Sequence, residues 1–223
     1  PALSTDRNCS LRTQSKQIWS ALTCAPTVWW TCLGGAFQLI VVSTVWSWLP
    51  SYFNRFHGYS ATDAARHAAL VVLCGALGAV LWGFVADRVG KNHPRRRLLM
   101  VSVLTVATFA VLVAAFTVPM APKPQFALIL LGGLLMTCSV GTTASTVMDV
   151  IHPAIRSTGA AVLSLFQNLF GLAIGPVVGG MVSDVWGLQT ALAVMPAFGL
   201  LATWAFWRAS RTYEADLKAV VHV

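Results

Sequence analysis

An all-α membrane protein with six transmembrane helices is the fold the sequence predicts. Three observations lead there: a composition too apolar for water, six long windows free of charge, and basic residues that crowd alternate connections. Of the 223 residues, 57% are apolar and 10% charged, and the mean hydropathy is +0.71. A soluble core cannot absorb that much apolar surface, so lipid must be the solvent for most of the chain.

The windows are measured against the roughly 20 residues that a helix needs to cross a bilayer. The first lies between Lys16 and Arg55 and places a span at 27–50. The second, between Arg66 and Asp87, gives 64–86, opened by Ser60, Thr62 and Asp63 as a helix N-cap with a favourably placed acid. Windows between Arg97 and Lys123 and between Lys123 and Asp149 give spans at 98–118 and 126–148, separated by the turn residues Pro119, Pro122 and Pro124. Pro153 marks the next turn, and the last two windows give spans at 157–182 and 188–207. Residues 1–26 read as a basic linker and 208–223 as a polar C-terminal tail. Spans three and six carry only scattered Ser and Thr, which bond their own backbone, and are expected to face lipid.

Basic residues near span ends stay preferentially in the cytoplasm. Twelve of the 15 Lys and Arg fall on one side of the six spans, and only Arg55, Arg66 and Lys123 on the other. Both termini are therefore expected to be cytoplasmic, in a multi-pass protein of the cell membrane. The net charge of +8 is a topology signal with some attraction to anionic headgroups, and no interleaving of bases and aromatics suggests nucleic acid. Trp29, Trp30, Trp46, Trp48, Trp82, Trp204 and Trp207 sit near span ends, where an amphipathic ring favours the interface. Five cysteines without CxxC or Cys/His spacing predict free thiols, no metal site and no cofactor. The first 17 residues lack the apolar run of a cleavable signal. A start at Pro1 instead of Met suggests a piece of a longer chain.

The most informative stretch is Gly83-Phe-Val-Ala-Asp87-Arg88-Val-Gly90-Lys91, followed by His93-Pro-Arg-Arg-Arg97. In physical terms a helix ends at the water boundary, Gly83 lets a neighbour approach, and Gly90 permits a tight turn before the next basic helix start. This GxxxDRxGK spacing between two spans resembles the loop signature of the major facilitator superfamily, and the similarity runs from about Trp30 to Trp207. The resemblance implies one six-helix half of a twelve-helix transporter. It also implies that Asp87 and Lys91 form an inner-gate charge cluster with an acid at the end of the fourth helix, here Asp149, with Arg88 and Arg156 nearby. The family more often has Arg where Lys91 stands, and a lysine lacks the bidentate guanidinium.

Gly171-Leu-Ala-Ile-Gly175-Pro176-Val-Val-Gly179-Gly180 places glycines four apart along one helix face, which permits close packing, and adds a kinking proline. It is similar to the GxxxGPxxGG element of the same superfamily. Asp149-Val-Ile-His-Pro-Ala-Ile-Arg156-Ser-Thr-Gly159 resembles the connection between the tenth and eleventh helices, which implies the C-terminal half, partnered by an N-terminal six-helix half. WLPSYFNRFHGYS and QNLFGLAIGP are similar to the spinster-like branch, whose members export lysolipids or related amphiphiles.

A polar side chain at the bilayer midplane tends to face an aqueous cavity or a partner helix, which makes Gln38, Thr142, Gln167 and Asn168 candidates for a substrate path. All seven acids, including Asp6, Asp63, Asp184, Glu214 and Asp216, sit at span ends or in tails, and the histidines lie in loops or ends. The paired acids or nucleophile-base pairs of an intramembrane enzyme are therefore missing. The expected function is secondary active transport of a small organic or amphiphilic solute by alternating access. The alternative is a non-transporting scaffold or partner subunit.

Overall fold

The computed structural model describes residues 25–91, 93–151 and 156–221. Most of the linker at 1–26, the acid Asp6, the turn residues His152 and Pro153, and His222 lie outside the described residues.

Six helices long and apolar enough to cross a membrane follow one another: α1 (Pro26–His57), α2 (Ala61–Gly90), α3 (Pro94–Thr117), α4 (Pro122–Asp149), α5 (Arg156–Trp186) and α6 (Leu188–Ala219). No strand occurs among the described residues. Proline opens α1, α3 and α4, where its missing N–H costs nothing because a first-turn donor has no partner within the helix. Ser60 caps α2 by accepting from the Asp63 backbone N–H at 3.1 Å, and its own hydroxyl donates to the Asp63 carboxylate at 2.7 Å. Two sharp connections use glycine at positive φ, Gly58 after α1 (66°) and Gly187 between α5 and α6 (85°).

The helices outrun the predicted spans. α1 passes through Pro50 and ends at His57, and its 32 residues make roughly 48 Å at about 1.5 Å per residue, well beyond a hydrocarbon core of about 30 Å. The stretch at 208–221, read from sequence as a tail, continues α6 as helix, and Ala209, Ser210 and Tyr213 on it are buried. Three spans are irregular inside. A turn at 137–139 interrupts α4, a π-helical turn (Gln167–Leu172) lies within α5, and a 3-10 turn (Met195–Ala197) within α6.

α1 is the central helix: 72% of its most apolar window is buried, against 22% for α2 and 17% for α5, which present the open faces. α3 and α6, expected to face lipid, pack against each other, and α6 also against α1, while Val103 and Val106 of α3 and Leu200, Leu201 and Trp204 of α6 remain exposed. Thr105 and Thr203 share a hydrogen bond across that pair at 2.7 Å, and Phe206 fills the space left by Gly34.

Close approach explains most of the small residues. A Cβ at Gly171 would stand 2.7 Å from the Leu39 Cβ, one at Gly175 would collide with the Ser43 hydroxyl, and one at Gly179 would stand 2.6 Å from Thr44 Cγ2. α5 therefore lies directly on α1. Ser43, Thr44 and Trp48 of α1 then donate to the carbonyls of Gly171 (3.2 Å), Gly175 (2.8 Å) and Pro176 (3.0 Å). Pro176 has no N–H to reach back to Leu172, the last residue of the π-helical turn, so the proline and the altered winding sit together. α2 meets α4 in the same manner: Thr137 donates to the Gly75 carbonyl at 2.7 Å and Trp82 to the Leu134 carbonyl at 2.9 Å.

Two hydrophobic cores divide the bundle along its length. One, around Tyr52, Phe53, Leu112, Phe116 and Ile129, fills the end where α1 meets α2; the other, around Leu98, Val101, Val147, Phe206 and Tyr213, fills the end that holds the basic loops.

Candidate functional site

At the basic end, α2, α3 and α4 meet around one guanidinium, and α6 joins them through Asp149. Arg97, in the first turn of α3, lies across the end of α2 and against the end of α4. Its Nη2 stands 3.4 Å from Asp87 Oδ1 on α2, and its Nη1 donates to Asp149 Oδ2 and to Ser145 Oγ on α4, both at 3.1 Å. The Tyr213 hydroxyl of α6 donates to the same Asp149 Oδ2 at 2.7 Å. The Arg97 side chain is only 15% exposed, whereas Asp87 and Asp149 are 68% and 39% exposed, so the cation is enclosed and its acids reach water. A planar fork with two donor ends suits this bridging geometry, because each nitrogen can serve a different carboxylate.

The family resemblance implied a cluster of Asp87 and Asp149 with Lys91 as the cation. The structure puts Arg97 there instead, and among the described residues no ion pair within 4 Å joins Lys91 to either acid. The reason is geometric. α2 runs on to Gly90, so Lys91 leaves the helix end exposed, while Arg97 starts a helix whose buried face already points at α4. Gly90 also acts differently from expectation. It is the last helical residue without positive φ, and a Cβ on it would stand 3.1 Å from Arg97 Nε and 3.3 Å from Arg97 Cβ. Its bareness makes room for the bridging arginine. Gly83, expected to admit a neighbour, has nothing within 4 Å of a Cβ among the described residues, because its Cα side faces Gly141 and its Cβ direction points off the bundle. Arg88 is exposed, and Arg156 donates from Nε to the Met148 carbonyl at 3.0 Å, capping the last turn of α4.

The four candidates for a substrate path separate. The Gln38 amide donates to the Met136 carbonyl at 2.9 Å. That carbonyl is freed because α4 breaks at 137–139 and the Val140 N–H turns to Thr137. Gln38 is fully buried within this bundle, its amide nitrogen engaged at the helix break and its oxygen, without a hydrogen-bond partner among the described residues, towards Gly199 of α6. Thr142 is likewise buried inside the bundle. Gln167 and Asn168 sit on the π-helical turn of the open span α5. Gln167 reaches Thr143 of α4 at 3.4 Å and lies over Gly35 of α1, and Asn168 is exposed, donating back to the Ser164 carbonyl at 2.7 Å. Replacing Gln38 with Met should leave the Met136 carbonyl without a donor in an apolar setting. A loss of about 1–2 kcal/mol is expected, read as a lower thermal midpoint of the detergent-solubilised protein with solute preference unchanged.

Reading the sequence alone missed Arg97 as the hub, as well as Ser145 and Tyr213. A signal for them exists in the helical period. Arg97, Val101 and Thr105 follow one another at four-residue spacing on α3, and Ala205, Ala209 and Tyr213 do so on α6. In both series the stripe that is buried in the bundle runs on beyond the apolar window.

The model of the Major Facilitator Superfamily matches residues 31–220. The chain belongs to this superfamily. Its curated relatives include an MFS-type efflux pump of Mycolicibacterium smegmatis, 27% identical over 90% of this chain and 52% of the relative. Another is human protein spinster homolog 3, 25% identical over 70% of this chain and 33% of the relative. Among solved structures, a bacterial homolog of the human lysosomal transporter Spinster, inward-facing and unoccupied, superposes with a TM-score of 0.81 at 20% identity, covering 90% of this chain and 50% of that one. The same homolog, inward-facing and occupied, gives 0.79. The chain thus has the spinster-like MFS fold, spans about half the length of the mycobacterial relative and of the solved homolog, and is a multi-pass membrane protein of a transporter family, not an enzyme.

Proposed function

We propose that this chain is the C-terminal six-helix half of a secondary transporter, moving a small organic or amphiphilic solute by alternating access, with the basic end of the bundle in the cytoplasm. The observation that carries the reading is the Asp87–Arg97–Asp149 cluster, which ties the ends of α2, α3 and α4 at the basic end through one enclosed cation. An ion-pair cluster with acids open to water is suited to a gate, because its modest attraction holds the ends together when closed and is readily replaced by hydration when they part. The orientation rests on the distribution of Lys and Arg. The N-terminal half is the natural cover for α2 and α5, whose open faces carry Leu73, Leu77, Phe84, Leu169, Val177 and Met181.

The same faces argue for the solute class. Against that apolar surface the polar groups of the π-helical turn, Gln167 and Asn168, stand apart, a combination that suits a molecule with an apolar body and a polar head. The relative named an MFS-type efflux pump agrees with outward movement. Nothing in the bundle favours the scaffold alternative, which has no use for a gate.

The test is transport by the full-length protein in proteoliposomes, offered a fluorescent lysophosphatidylcholine and, separately, ethidium, under an imposed proton gradient. At least one of the two should move, and Asp87→Asn should slow it about tenfold while the yield of monodisperse protein is unchanged. Movement of neither, or full activity in Asp87→Asn, overturns the proposal.

A further inference from the structure

The cytoplasmic extension of α6 makes contacts that a solvated tail would not. Tyr213 is buried with its hydroxyl on Asp149 Oδ2, the oxygen that also accepts from Arg97 Nη1. One residue earlier, the Thr212 hydroxyl meets that of Thr27 at 2.6 Å, and one turn later Asp216 Oδ2 accepts from the Thr27 backbone N–H at 2.9 Å. Thr27 lies in the first turn of α1, where backbone donors lack partners within the helix and a carboxylate meets the positive end of the helix dipole. The extension is therefore pinned to the start of α1 on one side and to the charge cluster on the other.

We propose that Tyr213 is a positioning residue of the inner gate, holding the Asp149 carboxylate in place for Arg97 and linking the cluster to the start of α1. The inference rests on the gate reading above. A carboxylate held by the guanidinium alone can rotate about its side-chain torsions. With the phenol donating to the same oxygen, from a ring packed among Val147, Val150 and Phe206, the oxygen is fixed from two directions. Movement of the start of α1 relative to α4 must then strain this link or break it.

The experiment uses the full-length protein in inside-out membrane vesicles, its native cysteines replaced by alanine, with Val140→Cys as reporter. Val140 is 46% exposed on α4 and about 13 Å deeper than Asp149 by helix rise, so parting of the helices at the Asp149 end is expected to raise its access from the cytoplasm. The measured quantity is its labelling rate by a membrane-impermeant maleimide. Tyr213→Phe, which keeps the ring, should raise the rate about three- to tenfold. In an Asp149→Ala background the same change should add nothing, because the group being positioned is gone. A purely structural role of the ring would move neither rate, and equal effects in both backgrounds would mean that Tyr213 acts elsewhere; either result overturns the inference. Arg97→Gln separates the two levels of argument. If it raises labelling and Tyr213→Phe does not, the gate stands and the positioning role falls. If Arg97→Gln leaves the rate unchanged, the gate reading itself fails.

Discussion

Replacing Gly78 with alanine is expected to destabilise the bundle by about 2–3 kcal/mol, measured as a lowered thermal midpoint in detergent and a smaller monodisperse fraction. The added Cβ would collide with the Leu134 carbonyl oxygen of α4, and would stand 2.8 Å from Thr137 Oγ1 and 2.9 Å from the Leu134 carbonyl carbon. A flexible side chain could swing aside, but these are mostly backbone atoms of a neighbouring helix, so α2 and α4 must separate. Separation would also stretch two hydrogen bonds between the same helices, Thr137 to Gly75 and Trp82 to Leu134. In lipid no water is at hand to replace them. Gly83→Ala, five residues further along α2, is the control: its Cβ meets nothing within 4 Å among the described residues. Relief of glycine's backbone entropy should make that change neutral or stabilising by up to about 1 kcal/mol. Equal losses at the two positions would show that general helix softness, not the close contact at Gly78, governs this interface.

The contrast between these glycines illustrates what could be read in advance. Helix number was legible because charge-free windows of about 20 residues or more have few other uses, and the stripe Gly171, Gly175, Gly179 was legible because four-residue spacing of glycine selects one helix face. What escaped were consequences of irregular backbone and of helices running beyond the apolar windows. The break at 137–139 involves Thr, Cys and Ser, none of which forbids helix, so nothing local announces that the Met136 carbonyl will need Gln38. A buried glutamine consequently reads as a substrate contact although its amide is engaged at the helix break. The π-helical turn at Gln167–Leu172 becomes understandable only beside Pro176 and the hydrogen bonds from α1. Tyr213 fell outside attention because charge returns at Arg208 and ends the apolar window, although Ala209 and Tyr213 continue the buried period of α6. Hydropathy locates the part of a helix that lipid covers, and periodicity the part that the bundle covers. The Asp87–Arg97–Asp149 cluster sits where the two cease to coincide.

Arg97→Gln should reveal that distinction most directly, with a loss of transport of about tenfold or more in the full-length protein, while Lys91→Gln changes transport less than about twofold. The reasoning starts from exposure. Removing one member of a fully buried ion pair costs about 3–5 kcal/mol, but here Asp87 is 68% exposed and Asp149 39%, so water screens the acids left behind. An effect of about 1.4 kcal/mol, or tenfold in the balance between gate states, is the appropriate scale. Glutamine can keep one hydrogen bond, to Ser145 or to Asp149, but cannot bridge two acids or balance their charge. Arg97→Lys is the informative intermediate. It retains the charge and loses the fork, since a single ammonium cannot serve Asp87 and Asp149 from two directions as the separated Nη atoms do. Transport by Arg97→Lys should therefore lie between wild type and Arg97→Gln if bridging geometry matters, and equal wild type if charge alone suffices. A strong defect in Lys91→Gln with normal activity in Arg97→Gln would return the gate to the lysine that the loop signature first indicated, and would mean that the α2–α3–α4 bridge holds the fold without controlling the path.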